Sequence, residues 1–188
     1  VAFMVGDLAG SLEPIGKLDI IDSVLAQVGN HLDKRGSEEL SEAERDSQTR
    51  LLIQIADVRI AQGDLDSAEK AARRALAEAS AISAANPSSS MGQKQSALAW
   101  ERIGDILETR GDIEGAATAF DTALSISQKL ADAQKLDSER QSALSVSLNR
   151  VGGIQQQQGN LEGAREAFNK SLAISEQLAA QEPSVTKW

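Results

Sequence analysis

The chain has no cysteine, no tyrosine, a single histidine and three prolines among its 188 residues. Without cysteine there is no disulfide framework and no thiolate metal site. One histidine, His31, is too few for a histidine metal centre. As a general base it would need a nucleophile beside it, and no motif supplies one. Phosphate-cradling glycine motifs are missing too, because Gly152-Gly153 sits inside a helical pattern and not after a strand. No apolar run approaches the ~18 residues of a membrane-spanning helix. Val1-Ala2-Phe3-Met4 is not a basic leader, and a start on Val reads as a fragment or a processed chain. Basic residues are short, 19 against 28 acidic, for a formal net charge of −9. That balance disfavours a nucleic-acid backbone or an anionic membrane as partner and suits a soluble acidic surface. The lack of cysteine does not separate cytoplasm from periplasm, and the compartment stays open with cytoplasm slightly favoured. Together these absences leave no catalytic constellation, no metal and no cofactor to expect, so the chain reads as a non-enzyme.

What is present is alanine and leucine. Apolar residues make up 41 % of the chain, alanine has the best helix propensity, and strand formers are sparse. An all-α fold follows.

The chain also repeats every 48 residues. Ile103-Gly104-Asp105-Ile106 returns as Val151-Gly152-Gly153-Ile154. Gly111-Asp112-Ile113-Glu114-Gly115-Ala116 returns as Gly159-Asn160-Leu161-Glu162-Gly163-Ala164. Moved back one period, the frame lands on Ile55-Ala56-Asp57-Val58 and Gly63-Asp64-Leu65. A fixed period of this size means stacked supersecondary units. Each reads as two antiparallel helices with apolar residues at steps of three and four. In the middle unit Ala97, Trp100, Ile103, Gly104 and Leu107 share a face of the first helix, about Ser89 to Arg110. Gly111-Asp112 turns, and Ile113, Ala116, Phe120, Ala123 and Leu124 follow on the second helix.

Three repeats are expected over 41–182, at about 41–86, 87–136 and 137–182. Residues 1–40 read as a degenerate helical hairpin that caps the repeats. Pro87 has an echo at Pro183, so residues 183–188 read as the start of a further, truncated repeat, with Trp188 as its first anchor.

The skeleton resembles the tetratricopeptide repeat. Trp100, Ile103-Gly104, Leu107, Gly111-Asp112, Ala116, Phe120 and Ala123 fill its pattern in the middle repeat. Leu148, Val151-Gly152, Gln155, Gly159-Asn160, Ala164, Phe168 and Ser171 do so in the last. The first repeat keeps less, with Leu52, Ile55-Ala56, Arg59, Gly63-Asp64, Ala68, Ala72 and Ala75. The departure is length, since the usual unit is about 34 residues. Two extra heptads shared between two helices add about 10 Å to each and keep the inward stripe near register. Long helices of this kind are similar to the kinesin-light-chain type and to arrays in bacterial multidomain signalling proteins. The resemblance implies a right-handed superhelical array of antiparallel helix hairpins, with each first helix lining a concave side. The small residues have a packing reason: Gly104, Gly152 and Ala116 stand where the helices of a hairpin approach closely, and Phe120 and Phe168 fill the space beside them.

On that implied face lie Ile53, Asp57 and Ile60, then Glu101, Asp105 and Glu108, then Asn149, Gly153 and Gln156. Glu101, Asp105 and Glu108 share one helix face, and such a groove favours a basic or polar peptide. The plainer alternative is a solvated acidic face partly neutralised by Arg102 and Arg110. The family's clamp for a C-terminal carboxylate would need Lys, Asn and Arg where this chain has Ile53, Asp57, Arg102, Val146 and Arg150. Only the arginines fit, so acidic tails are not the expected ligand. Gln155 to Gln158 could hydrogen-bond an extended peptide, but a plain polar helix end explains the run as well. The expected function is therefore a protein- or peptide-binding scaffold, part of a larger array. Its face would include Asp57, Glu101, Asp105, Glu108, Asn149, Arg150 and Gln156. The alternatives are a sensory module whose curvature controls an attached signalling domain, and self-association through the array ends.

Overall fold

The turn between paired helices shows how little sequence the fold needs. In the computed structural model, which describes residues 40–181, Gly63, Gly111 and Gly159 take φ of 76°, 81° and 80°. That left-handed region suits a residue with no Cβ. At each turn the glycine N–H donates to the carbonyl three residues back, as Gly63 does to Ile60 at 3.0 Å. The next N–H reaches five back: Asp64 to Arg59, Asp112 to Leu107 and Asn160 to Gln155, each at 2.9 Å. This pair of bonds closes the helix end. The same Asp or Asn then caps the following helix, accepting from Ser67 N–H at 3.2 Å, Gly115 N–H at 2.9 Å and Gly163 N–H at 3.1 Å. Two residues thus stop one helix and start the next.

The described residues form six helices: α1 (Glu42–Ala61), α2 (Leu65–Ala85), α3 (Ser90–Thr109), α4 (Ile113–Ala133), α5 (Ser138–Gln157) and α6 (Leu161–Gln181). First helices begin at 42, 90 and 138 and second helices at 65, 113 and 161, so every start recurs after 48 residues. First helices have 20 residues and second helices 21. The helix expected at about Ser89 to Arg110 is found within one residue at each end. Ser41 and Glu44 close a capping box at the start of α1, and Asp137 caps α5 through Arg140 N–H at 3.1 Å. The fold is an all-α series of antiparallel hairpins. The hairpin expected over 1–40, His31, Pro183 and Trp188 fall outside the described residues, apart from residue 40.

Contacts divide the chain into two units, 1–95 and 96–188. In the first, α1 packs along α2. Ala68, Ala72, Ala75, Ala79 and Ile82 of α2 are all 0 % exposed, so α2 meets the buried Leu51, Leu52, Ile53 and Ile55 of α1 mainly with small side chains. Gly92 brings the start of α3 against α2. A Cβ there would lie 2.6 Å from the Ala79 carbonyl oxygen and 2.8 Å from Ser83 N. A polar seam crosses the same unit. Asp46, 2 % exposed, accepts from Gln95 Nε2 at 2.7 Å and from Arg50 Nε at 2.8 Å.

In the second unit α5 packs on both α4 and α6. Ala116 and Phe120 of α4 meet Val151 and Ile154 of α5, flanked by Leu107, Ile113, Ala117 and Leu124. Further along the same helices Ala131 meets Leu144 and Leu148, and Leu124 adjoins this cluster as well. Gly104 of α3 lies under Phe120, and Gly152 of α5 lies under Phe168. The expected close approach is there in both hairpins. Hydroxyls join the helices where aliphatics stop: Ser127 with Ser147 at 3.0 Å, and Ser145 with Ser171 at 2.8 Å and Ser175 at 3.1 Å. Among the described residues no helix is long and apolar enough to cross a membrane.

Candidate partner-binding face

The residues assigned to the binding face lie on first helices at repeat-equivalent positions, and the structure gives them different environments. On α1, Asp57 is exposed, Ile60 is half-buried and Ile53 is buried in the core. On α3, Asp105 and Glu108 are half-buried, while Glu101 is only 5 % exposed. On α5, Asn149, Arg150 and Gln156 are exposed.

The three carboxylates of α3 do share one side of the helix, and that side is tied to α5. Glu101 Oε1 accepts from Ser147 Oγ at 2.7 Å, and Ser147 also meets Ser127. Asp105 pairs with Arg150 at 3.0 Å and lies 3.7 Å from Arg102. Glu108 is hydrogen-bonded to Gln157 Nε2. The acidic stripe is therefore a set of ties between successive first helices, and Glu101 does not present a carboxylate to the surface. Arg102 helps to neutralise it, and Arg150 is the closer cation. Burial pushes the Glu101 carboxyl above the usual carboxylate range. The Ser147 hydrogen bond and the Arg102 and Arg150 charges pull the other way and do not overcome it.

The outer side of α5 is different. Val146, Asn149, Gly153 and Gln156 follow at steps of three, four and three, so they line one stripe, with Arg150 at its edge. Val146 is 46 % exposed. A Cβ on Gly153 would meet nothing within 4 Å, so packing does not require that glycine. The stripe offers amide groups, one guanidinium already paired to Asp105, and an apolar contact at one end. The glutamine run divides: Gln155 is half-buried, Gln156 to Gln158 are exposed, and Gln157 reaches Glu108. Among the described residues no group of three His, Asp or Glu side chains could hold a metal ion.

Sequence reasoning placed Ser171 in the repeat skeleton but missed the serine hydrogen bonds between helices and the Asp46–Gln95 pair. Their signal was a polar residue at an inward position. For Ser147, the neighbour of inward-facing Leu148, the separation of 46 residues from Glu101 is close to one period.

Tetratricopeptide-repeat profiles match residues 53–133 and 146–178, together more than half of the chain. No curated protein matches it. Among solved structures, it is similar to the crystal structure of BtubC (BKLC) from P. vanneervenii, with 15 % identity over 98 % of this chain and 82 % of that one, at a TM-score of 0.47.

Proposed function

Because this chain belongs to the tetratricopeptide repeat superfamily, we propose that it is a non-enzymatic scaffold that holds a protein or peptide segment against its first helices. The family is in general a non-catalytic repeat that mediates protein interaction. The observation that carries the reading is the outer stripe of α5. Asn149 and Gln156 stand exposed in line with a glycine that has open space over it, and Arg150 is exposed beside them. Amide side chains pair with an extended backbone without selecting charge. The bare Gly153 surface lets such a backbone approach the helix closely. The partner segment is therefore polar and extended. A basic residue in it would meet Asp105 or Glu108 only by displacing Arg150 or Gln157, so charge refines the choice and does not drive it.

The test is a synthetic peptide library screened on the immobilised chain, repeated with the Asn149→Ala, Gln156→Ala double variant. Binders that lose affinity in the double variant support the proposal. A library whose binders ignore both substitutions removes this face from consideration.

A further inference from the structure

Glu101 is an acid at a place that carries no charge in the other repeats, where Ile53 and Asn149 stand one period away. It is 5 % exposed. Its Oε1 accepts from Ser147 Oγ of α5 at 2.7 Å. Ser147 is itself 0 % exposed, with Ser127 Oγ of α4 at 3.0 Å and the Ala143 carbonyl oxygen at 3.2 Å. A hydroxyl has one hydrogen to give, so Ser147 serves one of these acceptors at a time. The second oxygen of Glu101, Oε2, has Arg102 Nη1 at 3.9 Å, beyond hydrogen-bond reach. Arg150, the cation brought by α5, is tied to Asp105 through both terminal nitrogens, at 3.0 Å and 3.3 Å. The charges that bear on Glu101 are thus Arg102 and Asp105 of its own helix and Arg150 of α5, while α4 contributes the Ser127 hydroxyl behind Ser147.

The two protonation states fare differently in this setting. An ionised carboxylate has about four acceptor sites, and this one has a single donor at hydrogen-bond distance among the described residues. The rest of its solvation has to come from water, which burial keeps out. A protonated Glu101 can donate to Ser147 Oγ, which then turns its own hydrogen to Ser127 or to Ala143. No charge is then left without water. Burial accordingly raises the carboxyl above its usual range. The contact also has a defined reach along α5. Ser147 and Arg150, two of the α5 residues tied to α3, bracket the exposed Asn149.

We propose that Glu101 is a proton-operated latch between the first helices α3 and α5: protonated, it closes the contact through Ser147, and ionised, it draws water in and loosens the turn of α5 that carries Asn149. Opening lets the carboxylate be hydrated, so the open form holds the proton less tightly than the closed one. The closed form is therefore favoured at low pH and loses ground as pH rises above 4.5. A partner held by Asn149 binds more tightly on the acid side. That last consequence rests on the proposed function, whereas the latch itself does not depend on what binds to α5.

The experiment is amide hydrogen exchange on the full chain without a partner, read by NMR as protection factors across a pH series. Protection around Ser147 on α5 should fall as pH rises above 4.5, by no more than about tenfold per pH unit, the slope of a single proton. Protection in α2, which belongs to the other unit, should fall less. Glu101→Gln cannot ionise and should flatten the α5 series. Ser147→Ala removes the one donor of the ionised form, which loses more than the neutral form does, so the fall should extend to higher pH. Ala99 holds this place one repeat earlier, so the repeat accommodates the change. The proposal is overturned by level α5 protection in the native chain, by an unchanged slope in Glu101→Gln, by a fall in Ser147→Ala that ends where the native one does, or by equal falls in α2 and α5, which would mean unfolding of the whole chain.

Discussion

The ring of Phe120 lies so close on Gly104 that a Cβ added to the glycine would come within 2.6 Å of ring carbon Cδ1. Phe120 is also 1 % exposed and covered by Val151 and Ile154, so the ring has nowhere to move. Gly104→Ala should therefore destabilise the chain by about 2 kcal/mol, the cost of overpacking a closed core. In the next repeat Gly152→Ala brings a Cβ to 2.7 Å from Phe168 Cε1. There the ring is part-exposed and can turn aside, so the loss should be smaller. Thermal or urea unfolding of the two variants measures the difference. Equal losses would mean that exposure of the ring does not set the cost.

Gly153 predicts the opposite sign. It lies inside α5 with nothing within 4 Å of a Cβ position. Gly153→Ala should stabilise the fold by about 0.5–1 kcal/mol through backbone entropy and helix propensity. If the proposed binding face is right, the same change weakens the peptides selected on that face. A variant that is both less stable and unchanged in binding would contradict both statements.

Glu101 gives the chain a pH dependence unlike that of most carboxylates. Its folded-state pKa is raised above the ordinary value of 4.5, with burial as the leading cause. The folded chain then binds the proton more tightly than the unfolded one. Stability contributed by this site falls as pH rises from 4.5 to the raised value, and the cost is fully present above it. Glu101→Gln keeps an acceptor for Ser147 Oγ and removes the charge. The stability difference between the Glu101→Gln variant and the native chain should shift in favour of the variant as pH rises above 4.5, as read by melting temperature across a pH series. A constant difference would show that Glu101 titrates alike in both states.

Asp64 behaves the other way. The Ser67 hydrogen bonds, side chain first and backbone second, hold its carboxyl below the ordinary value of 3.8, with smaller help from Arg59 and Lys70. Asp64→Ala should cost about 1 kcal/mol at neutral pH through loss of the α2 cap. The charge-dependent part of that difference is present above pH 3.8 and fades as pH falls through the lower folded-state pKa. Urea titrations of both chains at neutral and strongly acidic pH would show it.

The Asp105–Arg150 pair joins two first helices, with side chains 15 % and 42 % exposed. A double-mutant cycle with Asp105→Ala and Arg150→Ala should give a coupling of about 0.5–1 kcal/mol, reduced in high salt. A coupling of zero would mean that the ladder of polar ties does not hold the repeats in register.

The 48-residue period, the helix ends and the hairpin turns were legible in the sequence because their causes are local. Gly111-Asp112 supplies a left-handed residue and a cap within two positions. Gly104 paired with Phe120 was legible too, since the repeat presents the pair twice. The environment of Glu101, Asp105 and Glu108 was not. Their spacing placed three carboxylates on one helix side, as found, but said nothing about what stands opposite. That depends on how α5 lies beside α3, which brings residues 45 to 49 positions apart into contact. Ser147 at one of those contacts makes a surface acid into a buried one, and Arg150 at another makes a free charge into a tie. The exposure of Phe168, 37 % against 1 % for Phe120, was likewise beyond the sequence, in which the two look alike. Burial depends on the neighbouring helix, and only the tertiary structure showed that Phe120 has one and that Phe168, among the described residues, lacks it.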